Sequence, residues 1–139
     1  RDQFLEYAEV FGNYYGTHEE VLARVGEAGF AGVSAHGWLE APSPVAMVNA
    51  HVDIIHWSGG RVGRDTGWVL AELARNLGQA RRRGHRAVGV LSHHLAHDEA
   101  AWRALDAIFE ALAPGRADWV AADDLIAEPP EFVAAGDQA

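Results

Sequence analysis

Six of the eight histidines in this 139-residue chain gather in two places: His51 and His56, with His36 just upstream, and the trio His93, His94 and His97. The first group sits in Asn49-Ala50-His51-Val52-Asp53-Ile54-Ile55-His56-Trp57. On a strand of period two, His51, Asp53, Ile55 and Trp57 share one face, so an imidazole and a carboxylate point together into whatever lies above the strand end. Such a pair can ligate a metal or act as a base with its orienting partner, and it can equally be a His and an Asp satisfied by loop backbone. The second group sits in Val88-Gly89-Val90-Leu91-Ser92-His93-His94-Leu95-Ala96-His97-Asp98. A buried strand running straight into paired histidines delivers imidazoles to its carboxyl end, where general acid work is commonly done. His94 and His97 could be a bound pair in a short turn, but without a nearby third ligand a metal site inside this segment is disfavoured. His97-Asp98 reads instead as a helix start, with Asp98 its cap.

The elements that must position these residues follow from hydrophobic period and from start and stop signals. Asp2 can cap a short helix carrying Phe4, Leu5, Ala8 and Phe11, ended by Gly12-Asn13. Thr17-His18-Glu19-Glu20 resembles a capping box and opens a helix with Val21, Leu22, Val25 and Ala28 inward and Gly29 as its stop. Residues 30–36 read as a buried strand, Pro42-Ser43-Pro44 as a loop, and residues 45–56 as a second strand. After Gly59-Gly60, Asp65 or Thr66 starts a helix to Arg83, with Val69, Leu70, Leu73, Leu77 and Ala80 at helical spacing and Gly84 at its end. Residues 87–92 are the expected third strand. Asp98 then caps a helix striped by Trp102, Leu105, Ile108, Phe109 and Leu112 and stopped by Pro114-Gly115, and Trp119-Val120-Ala121 is the expected fourth strand. The organised part runs over residues 1–128, and residues 129–139 read as a fraying tail.

Near-continuous apolar strands separated by amphipathic helices indicate α/β architecture, with parallel strands covered by helices. Chemistry in such folds sits at the carboxyl ends of strands, which points to His36, to residues 53–57, to residues 92–97 and to residues 122–124. Four strands are too few to close a barrel. The loop Gly59-Gly60-Arg61-Val62-Gly63-Arg64 can bring Arg61 or Arg64 to a ligand or serve as plain connection. Trp38 and Trp57, just past strand ends, can stack on a sugar ring or pack as rim. Arg81-Arg82-Arg83 with Arg86 complements a helix C-terminus.

Composition excludes several classes. Twenty acidic and 11 basic residues leave a net charge of −9, a poor match to nucleic acid or to an anionic membrane surface. Every basic residue is Arg, which removes Schiff-base and P-loop lysines, and the absence of cysteine removes disulfides, thiolate zinc sites and thiol nucleophiles. No apolar run approaches the ~20 residues of a membrane span. The start Arg1-Asp2-Gln3 has neither an initiator Met nor a signal-peptide pattern, so an excised or processed piece is expected, and the compartment is left open.

Residues 48–57 and 90–102 together resemble the last two sequence motifs of the polysaccharide deacetylase family, the NodB-homology carbohydrate esterases. The fourth motif of that family, Asp-x-x-Asp-Trp, aligns with Asp53, His56 and Trp57, and the fifth, Leu-x-His, with Leu91-Ser92-His93. Phe30-Ala31-Gly32-Val33-Ser34 is similar to the strand ahead of the fourth motif. The resemblance spans roughly residues 15–127 and corresponds to the C-terminal half of a deformed (β/α)7 barrel. It implies metal-dependent removal of acetyl groups from amino sugars, with zinc as the expected cation. His93 would be the acid that protonates the leaving amine, Asp53 an orienting carboxylate behind the reacting groups, and Trp57, Leu91 and His56 would face substrate, with Trp57 a wall of the acetyl pocket. The family's Asp-Asp and His-x-x-x-His motifs are not present here, so no metal ligand is assigned in this chain and the ligands are expected on sequence absent from it. His56 replaces the second Asp of the fourth motif, and Phe11-Gly12-Asn13-Tyr14-Tyr15 lacks the Arg or Pro-Pro pair of the third.

Two other readings stay open on the residues. In one, His51, Asp53 and His93 or His94 are themselves the ligands of a different metal hydrolase. In the other, the chain is a non-catalytic half-barrel that binds carbohydrate or a partner, and self-association or a missing N-terminal half covers its open edges.

Overall fold

The computed structural model describes residues 4–6, 15–38, 43–85 and 87–127. The chain opens with β1 (Phe4–Glu6), α1 (Tyr15–Glu27) and β2 (Gly32–Ser34), followed by β3 (Ala46–Met47), β4 (Ala50–Asp53), β5 (Ile55–His56) and β6 (Val62–Gly63). Then come α2 (Thr66–Arg83), β7 (Gly89–Leu91), a 3-10 turn (His94–Ala96), α3 (Glu99–Ala111) and α4 (Ala122–Ala127).

β1, β2 and β3 pair in parallel in that order, and β4 pairs in parallel with β7. A parallel bridge from His36 to Ala50 joins the two groups. β3 and β4 are one strand with a break, because the partner of β2 passes from Ala46 and Met47 to Ala50 at constant offset. Asn49 spans the break: its amide oxygen accepts from Ala35 N at 3.1 Å and its Nδ2 donates to Gly37 O at 2.9 Å. The described strands form no closed barrel.

Local signals explain the helix ends. α1 closes as a Schellman motif, with Phe30 N donating to Val25 O, Gly29 N to Gly26 O, and Gly29 at φ 89°. α2 repeats it through His85 N to Ala80 O and Gly84 at φ 69°. Asp65 caps α2 by accepting from Trp68 N, and Asp98 caps α3 by accepting from Ala101 N.

The larger core sits between β4, β5, α2 and α3: Val52, Ile54, Ile55, Val69, Leu73, Ala101, Ala104 and Ile108 are all buried. A smaller one joins Leu22 and Val25 of α1 to Val33 and Ala35. Asn76 is buried on α2 and donates its Nδ2 to Glu72 O, so its amide nitrogen finds an acceptor in its own helix.

Several expectations are corrected. Phe4–Glu6 is a strand aligned on β2 and not the opening of a helix; the rest of that expected helix, residues 129–139 and residues 11–14 of the third-motif region lie outside the described residues. α1 begins at Tyr15, which puts Thr17 inside the helix and not at its cap. Trp119-Val120-Ala121 is no strand: Trp119 Nε1 donates to Leu112 O and its ring packs on Phe109, which folds this segment back on the end of α3. Of the expected α3 stripe, Ile108, Leu105 and Leu112 face the core, joined there by Ala101 and Ala104, while Trp102 and Phe109 are exposed. The backbone of α3 lies so close to β6 that a Cβ on Gly63 would collide with Ala101 N, and only small residues allow that approach. No helix among the described residues is long and apolar enough to cross a membrane.

Candidate functional site

Asp53 closes β4, and Leu91, its register partner, closes β7. The Asp53 carboxylate turns the chain: Oδ1 accepts from Ile55 N at 2.9 Å, an Asx turn that ends the parallel strand and starts the β5–β6 hairpin. With that turn the period of two breaks, and Ile54 and Ile55 are both fully buried. Oδ2 accepts from Trp57 Nε1 at 3.0 Å.

β7 brings the third donor. His93, two residues past its end, places Nε2 3.3 Å from both oxygens of Asp53, and its ring meets Trp57 edge-on at 4.8 Å. Forty positions of sequence separate this pair, and adjacent parallel strands bring their carboxyl ends together. The side chains are 15% and 19% exposed for His93 and Asp53, so both are largely sheltered from solvent. A carboxylate taking several N–H donors is held in one rotamer and fixes the orientation of the imidazole it faces.

Asp53 also lines a cleft of about 380 Å³ with His36, Ile55, Trp57, Ser58, Arg64 and Leu91. Trp57 is 38% exposed, so one part of its indole remains available at the cleft while Nε1 is bonded to Asp53. Arg64 stacks its guanidinium 4.0 Å over Trp68, and its Nε is buried without a hydrogen-bond partner among the described residues. By sequence Arg64 is one of two loop arginines that can reach a ligand, and the structure sets it on the cleft beside the α2 cap Asp65.

The other expected residues lie elsewhere. His56 stands in β5 with its ring over Gly59 and is not among the residues lining the cleft. His51 is the extra residue of a bulge, since Ala50 pairs with Gly89 and Val52 with Val90. Its Nδ1 accepts the N–H of Gly89 at 3.0 Å, and its ring lies 4.1 Å from that of Trp38. Burial above all, then repulsion from His36 and His85, lowers the His51 pKa to about 4, so the ring is neutral near pH 7. Trp38 likewise packs on His51 and His85. His94 is exposed at the start of the 3-10 turn, and Asp123 and Asp124 are exposed in the first turn of α4. His97 directly precedes the α3 cap Asp98, as expected for the helix start, and also accepts the N–H of His93.

A larger hollow of about 630 Å³ lies against α2, β7 and residues 117–125, bordered by Leu73, Leu77, Val90, Leu112 and Trp119, with His51 and His85 on its wall. We place the site at the smaller cleft, which Asp53 lines at the carboxyl ends of two parallel strands; His93 touches that carboxylate but is not itself among the residues lining the cleft. Among the described residues no three His, Asp or Glu side chains are grouped to hold a metal ion. Comparison with family models, with curated proteins and with solved structures gave no match to this chain.

Proposed function

We propose that this chain is the C-terminal portion of a polysaccharide deacetylase-like hydrolase, a partial deformed (β/α)7 barrel that contributes the proton donor and the acetyl-pocket wall for removal of acetyl groups from amino sugars. The observation that carries the reading is the contact of His93 Nε2 with the Asp53 carboxylate at 3.3 Å. The sequential parallel order of β1, β2, the β3–β4 run and β7 supports the architecture.

In amide hydrolysis, water adds to the acetyl carbonyl, and the C–N bond breaks to give acetate and an amine that must leave protonated. His93 supplies that proton, and Asp53 holds the imidazole in one orientation while it does so. Trp57 and Leu91 line the cleft beside Asp53 and offer apolar surface to an acetyl methyl. The cation and the water-activating base of such a reaction are assigned to residues outside this sequence, because the family's Asp-Asp and His-x-x-x-His motifs are not present in it.

The test is amine release from an acetylated amino-sugar oligomer by a chain extended to include those ligands. His93→Ala is expected to suppress it, and wild-type release by that variant would sink the reading. A second reading, carbohydrate binding without turnover, is favoured by the indole of Trp57 at the cleft; saturable binding lost in Trp57→Ala, with no amine released by the extended wild-type chain, would establish it instead.

A further inference from the structure

His93 is held from two sides. Its ring meets Asp53, and its backbone N–H donates to Nε2 of His97 at 3.0 Å. Between them runs the 3-10 turn, closed by Ala96 N donating to His93 O at 2.7 Å. His93 itself has φ −132° and ψ 72°, neither strand nor helix, so no regular ladder fixes its backbone. The His97 bond takes that place.

His97 is firmly anchored. Its ring packs edge-to-face on Trp102 of α3 at 4.5 Å. The next residue, Asp98, accepts from Ala101 N to cap α3 and from Gly63 N, at 3.1 Å to each carboxylate oxygen, to tie in the β5–β6 hairpin. The position of His97 is therefore set by α3 and by the hairpin that also carries Trp57.

An imidazole nitrogen that accepts a hydrogen bond carries no proton, so the Nε2 contact makes His97 neutral, with its hydrogen on Nδ1. Nδ1 is buried with no hydrogen-bond partner among the described residues. Burial first, then the neighbouring His93 and His94, lowers the His97 pKa, with Asp98 pulling the other way. Protonated on both nitrogens, the ring would present a donor to the donor N–H of His93 and the bond would be lost.

We propose that His97 is the positioning residue of His93: as a neutral acceptor on Nε2 it fixes the backbone from which the His93 ring reaches Asp53. The proposal gives the His93–Asp53 pair a built-in support, and its catalytic meaning rests on the deacetylase reading above. Its physical content is separate and is tested without an activity assay.

The experiment is ¹H–¹⁵N NMR of the whole chain, reading imidazole tautomers and the His93 amide as pH is lowered. Wild type is expected to show His97 as the Nδ1–H tautomer at neutral pH, with the His93 amide signal moving as His97 titrates. His97→Gln, which keeps an acceptor but does not titrate, is expected to leave the His93 ring shifts near wild type and to abolish the pH dependence of the amide. His97→Leu, with no acceptor, is expected to shift both the amide and the His93 ring. A wild-type His97 protonated on Nε2 at neutral pH overturns the proposal without any variant. Equal displacement of the His93 ring in the Gln and Leu variants overturns it too, since packing alone would then be the cause. Because amine release plays no part, failure of the deacetylase reading leaves these outcomes intact, and the converse holds.

Discussion

His51 and Asp53 stand two residues apart on β4, yet the structure uses them differently. At the His51 end, an imidazole nitrogen completes a strand ladder: the bulge leaves Gly89 N–H without a backbone acceptor, and the ring supplies one while Trp38 covers it. At the Asp53 end, the ladder is over and the polar groups converge on each other, with Ile55 N, Trp57 Nε1 and His93 Nε2 all around one carboxylate beside a cleft. The lesson is that a His-x-Asp pair is not one unit of chemistry. A histidine whose nitrogen is occupied by a strand's backbone serves the framework, and a carboxylate that gathers side-chain donors at a strand end is a candidate site.

Breaking the site end should have the largest effect. His93→Ala in a deacetylation-competent chain is expected to slow amine release about 10²–10⁴-fold, the usual contribution of a positioned acid. His51→Gln, which keeps an acceptor for Gly89 N–H, is expected to leave the rate within a factor of a few. A loss at His51 as large as that at His93 would erase the distinction and favour the metal-hydrolase alternative.

The framework end should show itself in stability against pH. The folded pKa of His51 lies below its unfolded value of 6.5, at about 4, so the unfolded chain binds more protons between those limits. Stability contributed by the neutral ring is complete above pH 6.5 and is lost as pH falls toward 4, a difference on the order of 3 kcal/mol. His97, lowered in the same direction, adds to that slope. Urea unfolding across this window is expected to flatten in His51→Gln, and an unchanged slope would mean that His51 is not buried neutral.

A smaller effect is expected for Asp53→Asn. Each oxygen of Asp53 accepts an N–H, so whichever end the amide nitrogen takes, it faces a donor. A cost of about 2 kcal/mol in urea unfolding is expected, together with loss of the fixed His93 ring orientation in NMR. Smallest of the four is Asn49→Ala, which removes the side-chain bonds to Ala35 N and Gly37 O at the break between β3 and β4. About 1 kcal/mol is expected there, with the His93 and Asp53 signals unmoved.

How far the sequence could be read depended on range. Gly29, Gly84, Asp65 and Asp98 were legible as stops and caps because each answers a need of its own few residues, a left-handed φ or an orphan N–H. The apolar stripe of α3 holds at Leu105, Ile108 and Leu112 and fails at Trp102 and Phe109: Gly63 meets the helix backbone at Ala101, an approach open only to small residues, and the two aromatic rings stay outside. The expected strand at 119–121 failed for a similar reason: the apolar run is real, but Trp119 spends its indole on Leu112 O and Phe109. Asp53 and His93 stand out as polar groups past apolar strands, and the family resemblance gives each a role. Nothing in their spacing required them to touch, since that contact depends on β4 and β7 being neighbours.

By itself the sequence determined the parts that close on themselves: where α2 and α3 start, where α1 and α2 end, and that polar groups gather past two apolar strands. These follow from backbone sterics and from hydrogen bonds spanning three to five residues. Only the tertiary structure decided which histidine serves the framework and which faces the carboxylate. A one-residue bulge in the β4–β7 register assigns His51 to Gly89, and the turn after β7 hands His93 to Asp53 with His97 behind it. Strand register and the seating of α3 are long-range packing outcomes, and imidazole chemistry depends on the last ångström of both.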